Sequence, residues 1–322
     1  MEAGRLVWQR RLSPVLRPAA WLYGACMSAR RTAFERGLLP TVRVDRPVIS
    51  VGSLLAGGTG KTPMVAHLAR HFASTRTAVL SRGYGGSYRG QRQVGRDCPA
   101  AVCGDEPVLL ARTCPADVWV GRDRAKLALE LSDRYELFLL DDGYQHLKLE
   151  RFLNICLLPN EGPGVLLPAG LWRESARALR AADVVVALDS WPGWVGSYYE
   201  GPRVIVELSP GPWQSARGGG PEGPVFAFCG VARPERFLNS LHGLDVRGSD
   251  VFADHHEYSP KDLHELVSRA RQLGAFALVT TAKDAVRAGE MDLPLYWRDL
   301  EVRFIEGEQD FAVFLESVVL PE

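Results

Sequence analysis

Neither sign of charge is in excess in this chain: lysine plus arginine and aspartate plus glutamate each number 38 in 322 residues. That balance removes the global electrostatic argument for a nucleic-acid partner and leaves only local basic surface. Cysteine is sparse, with six thiols at Cys26, Cys98, Cys103, Cys114, Cys156 and Cys229. No cleavable signal pattern precedes them, and the spacing of Cys98, Cys103 and Cys114 fits no common zinc pattern. The expectation is reduced thiols in a cytosolic protein, with no structural metal. Long apolar runs are missing as well: residues 15–27 are broken by Arg17 and are too few to span a bilayer. There is no internal repeat and no long low-complexity segment.

What is present is a 46% apolar composition, enough to bury a substantial core in one large or two ordinary domains. The N-terminal run carries Trp21, Leu22 and Tyr23 and is flanked by Arg10, Arg11, Arg30, Arg31 and Arg36. Two readings stay open for it: a helix lying in an anionic lipid interface, or a helix packed on the protein's own core.

Beyond it, apolar strand patterns at 48–51, 77–80, 117–120, 137–140, 155–158, 184–188 and 203–208 alternate with helical patterns at 61–73, 123–135 and 175–182. Such alternation predicts a parallel sheet covered on both faces. Residues 209–224 hold five glycines and four prolines and read as a linker. A second α/β unit follows, with strands at 225–228 and 276–280 and helices at 234–241, 260–273 and 309–318. Two lobes joined in this way leave a cleft for a nucleotide and a bulky acceptor.

The strand at 48–51 runs into Ala56-Gly57-Gly58-Thr59-Gly60-Lys61-Thr62. A Gly-rich turn from strand to helix points backbone N–H groups at phosphates, Lys61 reaches the outer ones, and Thr62 can ligate Mg²⁺. The strict pattern has glycine where this chain has Leu55, so the loop is a variant. The apolar strand 137–140 delivers Asp141-Asp142-Gly143 at its carboxyl end, where one carboxylate can hold Mg²⁺; Gln145 and His146 follow into the same cleft. Ser81-Arg82-Gly83-Tyr84-Gly85-Gly86, with Arg122 and Arg124, offers guanidinium groups to a phosphorylated acceptor. The irregular loop 167–174 carries Arg173 and Glu174. Read alone, Gly104-Asp105-Glu106-Pro107 is a helix cap, and in Asp254-His255-His256 at most one histidine faces a site, because neighbours on an extended segment point oppositely.

In this order and spacing, Gly-Gly-Thr-Gly-Lys-Thr-Pro, Ser-Arg-Gly-Tyr-Gly-Gly, Gly-Asp-Glu-Pro, Asp-Asp-Gly-Tyr-Gln-His, Leu-Pro-Ala-Gly-x-x-Arg-Glu, Asp-His-His and Thr-x-Lys-Asp-Ala-Val closely resemble the tetraacyldisaccharide 4′-kinase family over nearly the whole chain. The resemblance implies ATP and Mg²⁺ as cofactors and a tetraacylated glucosamine disaccharide 1-phosphate as acceptor, phosphorylated on its 4′-hydroxyl at the cytoplasmic face of the bacterial inner membrane. It implies Asp105 as base with His255 beside it, Lys61 on the transferring phosphoryl, and Thr62 with Asp141, Asp142 or Glu174 at the metal. Residues 56–62 with Lys283 and Asp284 are implied for ATP, and Arg82, Gly83, Tyr84, Arg124, Gln145, His146 and Arg173 for the acceptor. It also assigns the N-terminal helix to the membrane, with no obligate protein partner. The expected fold is an α/β, P-loop NTPase-type, mostly parallel sheet flanked by helices: an interfacial segment at 1–40, a kinase core at 41–208, a linker at 209–224 and a smaller C-terminal α/β lobe at 225–322. The chain departs from the family pattern at Ser53, where Asn is usual, and at Ala282, where Glu is usual. Two other classes remain: a P-loop partition or maturation ATPase switch, which normally has Lys where this chain has Ala56, and an inactive homologue that binds lipid or nucleotide.

Overall fold

The computed structural model describes residues 2–318 apart from 161 and 217, with the side chains of residues 2–13 outside the description. Arg10 and Arg11, counted above among the basic flank, fall in that undescribed part. The N-terminal strands are β1 (Val48–Ser53), β2 (Thr77–Ser81), β3 (Arg92–Gln93), β4 (Asp117–Val120), β5 (Leu137–Asp141), β6 (Leu153–Leu158), β7 (Val184–Leu188) and β8 (Arg203–Ser215); β9 (Pro224–Cys229), β10 (Asp245–Val251), β11 (Ala277–Thr281) and β12 (Leu295–Glu306) follow. Helices are α1 (Glu2–Glu35), α2 (Lys61–His71), α3 (Ala100–Cys103), α4 (Asp105–Thr113), α5 (Arg124–Leu131), α6 (Pro234–Asn239), α7 (Pro260–Gln272), α8 (Ala282–Ala288) and α9 (Glu308–Glu316).

Among the described residues all twelve strands form one sheet, ordered β10-β9-β11-β12-β8-β7-β6-β1-β5-β2-β4-β3. Strands β1, β5, β6 and β7 are buried along their whole length, as expected of parallel strands covered on both faces. β1 lies between β5 and β6, so the turn after it opens where neighbouring crossovers diverge.

The two halves meet through the antiparallel pair β8 and β12. β8 pairs with β7 only through Val206 and then runs on to Ser215 with β12 as its partner. The C-terminal strands β9, β10 and β11 run parallel to β12 and therefore back toward the N-terminal half. The carboxyl ends of both strand sets face each other across a cleft.

This corrects the linker reading of 209–224, since residues 209–215 are strand. Beyond β7 they have a neighbour on one side only, where the missing N–H groups of Pro210 and Pro212 cost no ladder bond, and a register shift between Arg298 and Leu300 absorbs the irregularity as a bulge. The glycine-rich residues 218–223 lead into β9. The thiol expectation is also corrected: Cys98 and Cys103 form a disulfide, because the single turn of α3 brings their Cα atoms to 6.6 Å. Cys114, Cys156 and Cys229 are free and buried, and Cys26 is free and exposed.

Helix α1 is anchored at its C-terminal end, where Arg31 donates two hydrogen bonds to the Glu174 carboxylate at 2.6 and 2.9 Å. Farther toward its start one face is open, with Val15, Trp21 and Leu22 75, 76 and 60% exposed, while Ala20 is buried and Gly24 lies against Leu166 on the other. No helix among the described residues is long and apolar enough to cross a membrane.

Candidate active site

The phosphate loop leaves β1 and enters α2 through Gly60 at φ 80°, a left-handed conformation that only glycine adopts readily; a Cβ there would also sit 3.0 Å from Leu208. Lys61 Nζ folds over this loop, donating to Thr59 Oγ1 at 3.3 Å and Gly57 O at 3.4 Å, and lies 3.6 Å from Asp142 Oδ1. The 167–174 loop is tied to the same turn, with Ala56 N donating to Leu171 O and Arg173 N to Leu54 O. Ser53 Oγ accepts from Leu55 N at 3.1 Å, so the serine secures the turn below the phosphates.

Asp141 and Asp142 leave β5 beside the loop but differ in environment. Asp141 is buried, accepts from Ser81 Oγ at 3.0 Å, and has an Oδ1 with no hydrogen-bond partner. Burial first, then the Glu106 and Asp142 charges, push its carboxyl up to about 7. Asp142 accepts from Arg173 Nη1 at 2.8 Å; burial opposes its charge, but Lys61 and Arg173 outweigh burial and hold it below the usual carboxylate range.

Across the cleft, α4 begins at Asp105, preceded by Gly104 at φ 90°, where a Cβ would lie 2.5 Å from Tyr84 O. His255 Nδ1 donates to Asp105 Oδ2 at 2.9 Å, joining two residues 150 positions apart. Burial works against the Asp105 charge, but the His255 hydrogen bond, Lys283 and Arg287 bring its carboxyl down to about 2. The same hydrogen bond raises the His255 imidazole above its ordinary range. The Tyr84 ring stands edge-on to His255 with centroids 6.2 Å apart. Lys283 meets Glu106 at 2.5 Å, and Arg287, its side chain 6% exposed, donates to Gly230 O at 2.9 Å and Asp284 Oδ1 at 2.8 Å while its Nε lies 4.0 Å from Asp105. One cleft thus joins a phosphate loop, a pair of aspartates and a histidine-held carboxylate.

The chain matches the model of the family described as tetraacyldisaccharide-1-P 4′-kinase over residues 12–320. It belongs to the tetraacyldisaccharide 4′-kinase family. Among similar proteins, the tetraacyldisaccharide 4′-kinase of Geobacter sulfurreducens is 41% identical over 91% of this chain and 90% of its own, and that of Thiobacillus denitrificans is 36% identical over 90% of this chain and 91% of its own. A crystal structure of LpxK from Aquifex aeolicus in complex with ATP superimposes with TM-score 0.77 at 29% identity, covering 95% of this chain and 99% of that one. Membership decides against the partition-type switch and accounts for the motif series.

The structure redistributes several residues that the family motifs singled out. Glu174, expected at the metal, is engaged elsewhere: both oxygens accept from Arg31, and the residue is 3% exposed. Arg124 is not presented to an acceptor; it is buried and donates to the carbonyls of Asp141 and Asp142, fixing that turn. Asp284 is fully buried and accepts from Gly230 N, Tyr258 Oη, Thr281 Oγ1 and Arg287, which leaves no oxygen for a nucleotide. Lys283 faces the cleft but is engaged by Glu106. Ala282, the departure from the family pattern on α8, is buried in the core. Gln145 bridges the halves of the site, donating to Ser53 O at 3.1 Å and accepting from Arg173 Nη1 at 3.4 Å. His146 is half-buried with its Nε2 unpartnered, and burial with the Arg124 charge lowers its imidazole to about 3. Arg82 and Tyr84 are exposed at the cleft mouth, and Gly83 at φ 71° makes the turn between them. Arg287, Glu106 and Ser81 were not singled out from the sequence; the available signal was the i, i+3 spacing of Asp284 and Arg287 on α8.

Proposed function

We propose that this protein transfers the γ-phosphoryl group of ATP to the 4′-hydroxyl of a tetraacylated glucosamine disaccharide 1-phosphate, working from the cytoplasmic face of an inner membrane. The observation that carries the reading is the Asp105–His255 pair, built from both halves of the chain and set across the cleft from the Gly57–Thr62 loop. The acceptor hydroxyl gives its proton to Asp105 as its oxygen approaches the γ-phosphorus. The bond from that phosphorus to the β–γ bridging oxygen breaks, and ADP leaves. His255 orients the carboxylate, and Lys61 neutralises charge on the transferring group, so alignment and electrostatics supply most of the rate.

Mg²⁺ fits the donor set. Asp141 has an orphaned buried oxygen, and Thr62 and Asp142 stand beside it at the loop. Among the described residues no three carboxylate, histidine or cysteine side chains converge as a ready cage, and an ion held by one or two carboxylates, phosphates and water needs none. Held by Thr62 and the two aspartates, Mg²⁺ would neutralise phosphate charge.

Arg82, Tyr84 and Arg173 are the acceptor contacts in this reading, at the cleft mouth. A four-chain acyl substrate leaves a bilayer at a cost of ~0.8 kcal/mol per CH₂, so the enzyme must come to it. The exposed Val15, Trp21 and Leu22 on α1 supply the apolar contact for that approach. The test is the purified full-length protein in detergent micelles with ATP, Mg²⁺ and the disaccharide 1-phosphate, with the product read by mass spectrometry and ³¹P NMR. One new phosphomonoester at the 4′-position is expected. ATP turnover with no lipid product, or phosphate at another position, overturns the reading.

A further inference from the structure

The Cys98–Cys103 bond spans the helical turn α3, which ends two residues before Asp105. Two carbonyls of α3 carry the loop behind Arg82 and Tyr84: Ser87 N donates to Ala101 O at 2.9 Å and Tyr88 N to Val102 O at 3.0 Å. The packing there is close, since a Cβ on Gly86 would lie 2.5 Å from Val102 O, and one on Gly104 would lie 2.5 Å from Tyr84 O. A four-residue helix has too few hydrogen bonds to hold itself, so a covalent tie from Cys98 to Cys103 has a large share in keeping this seat formed. Cys114 and Cys156 are buried with their thiols pushed up to about 11 and about 12, chiefly by burial, which leaves them inert.

We propose that Cys98 and Cys103 are a redox-responsive pair that sets how firmly the 82–88 loop is seated beside Asp105, and through it the affinity for the acceptor. The activity part rests on the kinase reading above. In a reducing compartment a disulfide of this kind is interconverting rather than permanent. A dithiol reductant attacks through its thiolate at Cys98 Sγ, on the residue of the pair that is 6% exposed against 1% for Cys103. The S–S bond breaks, Cys103 leaves as a thiolate and takes up a proton. The second thiol of the reductant then displaces Cys98 from the mixed disulfide. Two electrons pass to the pair, which ends as two thiols, and the reductant ends as a disulfide. Oxidation by a small disulfide runs the same steps in reverse.

The experiment equilibrates the full-length protein in micelles with buffers of reduced and oxidised dithiothreitol. Differential alkylation with peptide mass spectrometry reads the bond and separates it from Cys26. Amide exchange reads Ser87 and Tyr88, and steady-state kinetics reads KM for acceptor and for ATP. The bond is expected to break in a single two-electron transition. Exchange at Ser87 and Tyr88 accelerates with it, and the acceptor KM rises roughly five-fold at unchanged ATP KM. The variant Cys98→Ser/Cys103→Ser is expected to hold the reduced values at every potential. Reduction of the wild type makes the same comparison without a substitution. Absence of the 98–103 crosslink in oxidised dithiothreitol, or exchange and acceptor KM that stay constant between fully bonded and fully reduced protein, overturns the proposal. Failure of the kinase reading looks different: no lipid product at any potential while bond and exchange still move together.

Discussion

At the scale of single residues, the site works by setting carboxylates apart. Asp105 is held near 2, Asp142 is held low by two cations, and Asp141 is pushed to about 7, within a few side chains of one another. The Asp105–His255 pair has a defined pH window. His255 titrates above its ordinary 6.5, so its contribution to stability is full below 6.5 and fades as pH rises through the raised value. Asp105 titrates near 2 against an ordinary 3.8, so its contribution is present above 3.8 and fades as pH falls toward 2. The difference in thermal midpoint between wild type and His255→Gln should therefore be greatest between 3.8 and 6.5 and shrink above it; a constant difference to pH 9 would deny the charged pair. Arg287 is the positioning residue that binds this corner together, holding Gly230, Asp284 and the approach to Asp105. Arg287→Met strands a buried carboxylate and should lower unfolding stability by about 3 kcal/mol in urea titrations.

Among the elements, α1 divides its labour. Its C-terminal end is clamped by the buried Arg31–Glu174 pair, and Trp21 and Leu22 face outward. Trp21→Asp with Leu22→Asp should weaken sedimentation with anionic vesicles at least about ten-fold while the melting temperature stays near that of wild type, because neither side chain is in the core. A large fall in melting temperature would mean that they pack after all. Strands β1, β5, β6 and β7 were legible in the sequence because burial on both faces leaves an unbroken apolar run. β10 and β12 were not, since Asp245–Val251 is mostly exposed and Leu295–Glu306 alternates charge with apolar residues along a half-covered face. The far half of β8 was hidden by Pro210, Gly211 and Pro212, residues tolerated only because that stretch has one neighbour.

For the whole molecule, the reversal of the C-terminal strands matters most: it turns two sets of carboxyl ends toward each other and brings His255, Lys283 and Arg287 to α4. The motifs named the Lys61 loop and Asp142 through their own chemistry, and Asp105 and His255 only through the family resemblance, since read alone Asp105 is a helix cap. They did not separate residues that face the cleft from those that brace it, since Glu174, Arg124 and Asp284 take their partners from segments distant in sequence. The account rests on Asp105 receiving the proton of the sugar hydroxyl across from the ATP phosphates. The most direct measurement is kcat for 4′-phosphorylation by wild type and Asp105→Asn, with KM for ATP determined in the same preparations. The account predicts a loss of roughly 10²- to 10⁴-fold in kcat with the ATP KM within about two-fold of wild type. Phosphorylation by Asp105→Asn at the wild-type rate would contradict it.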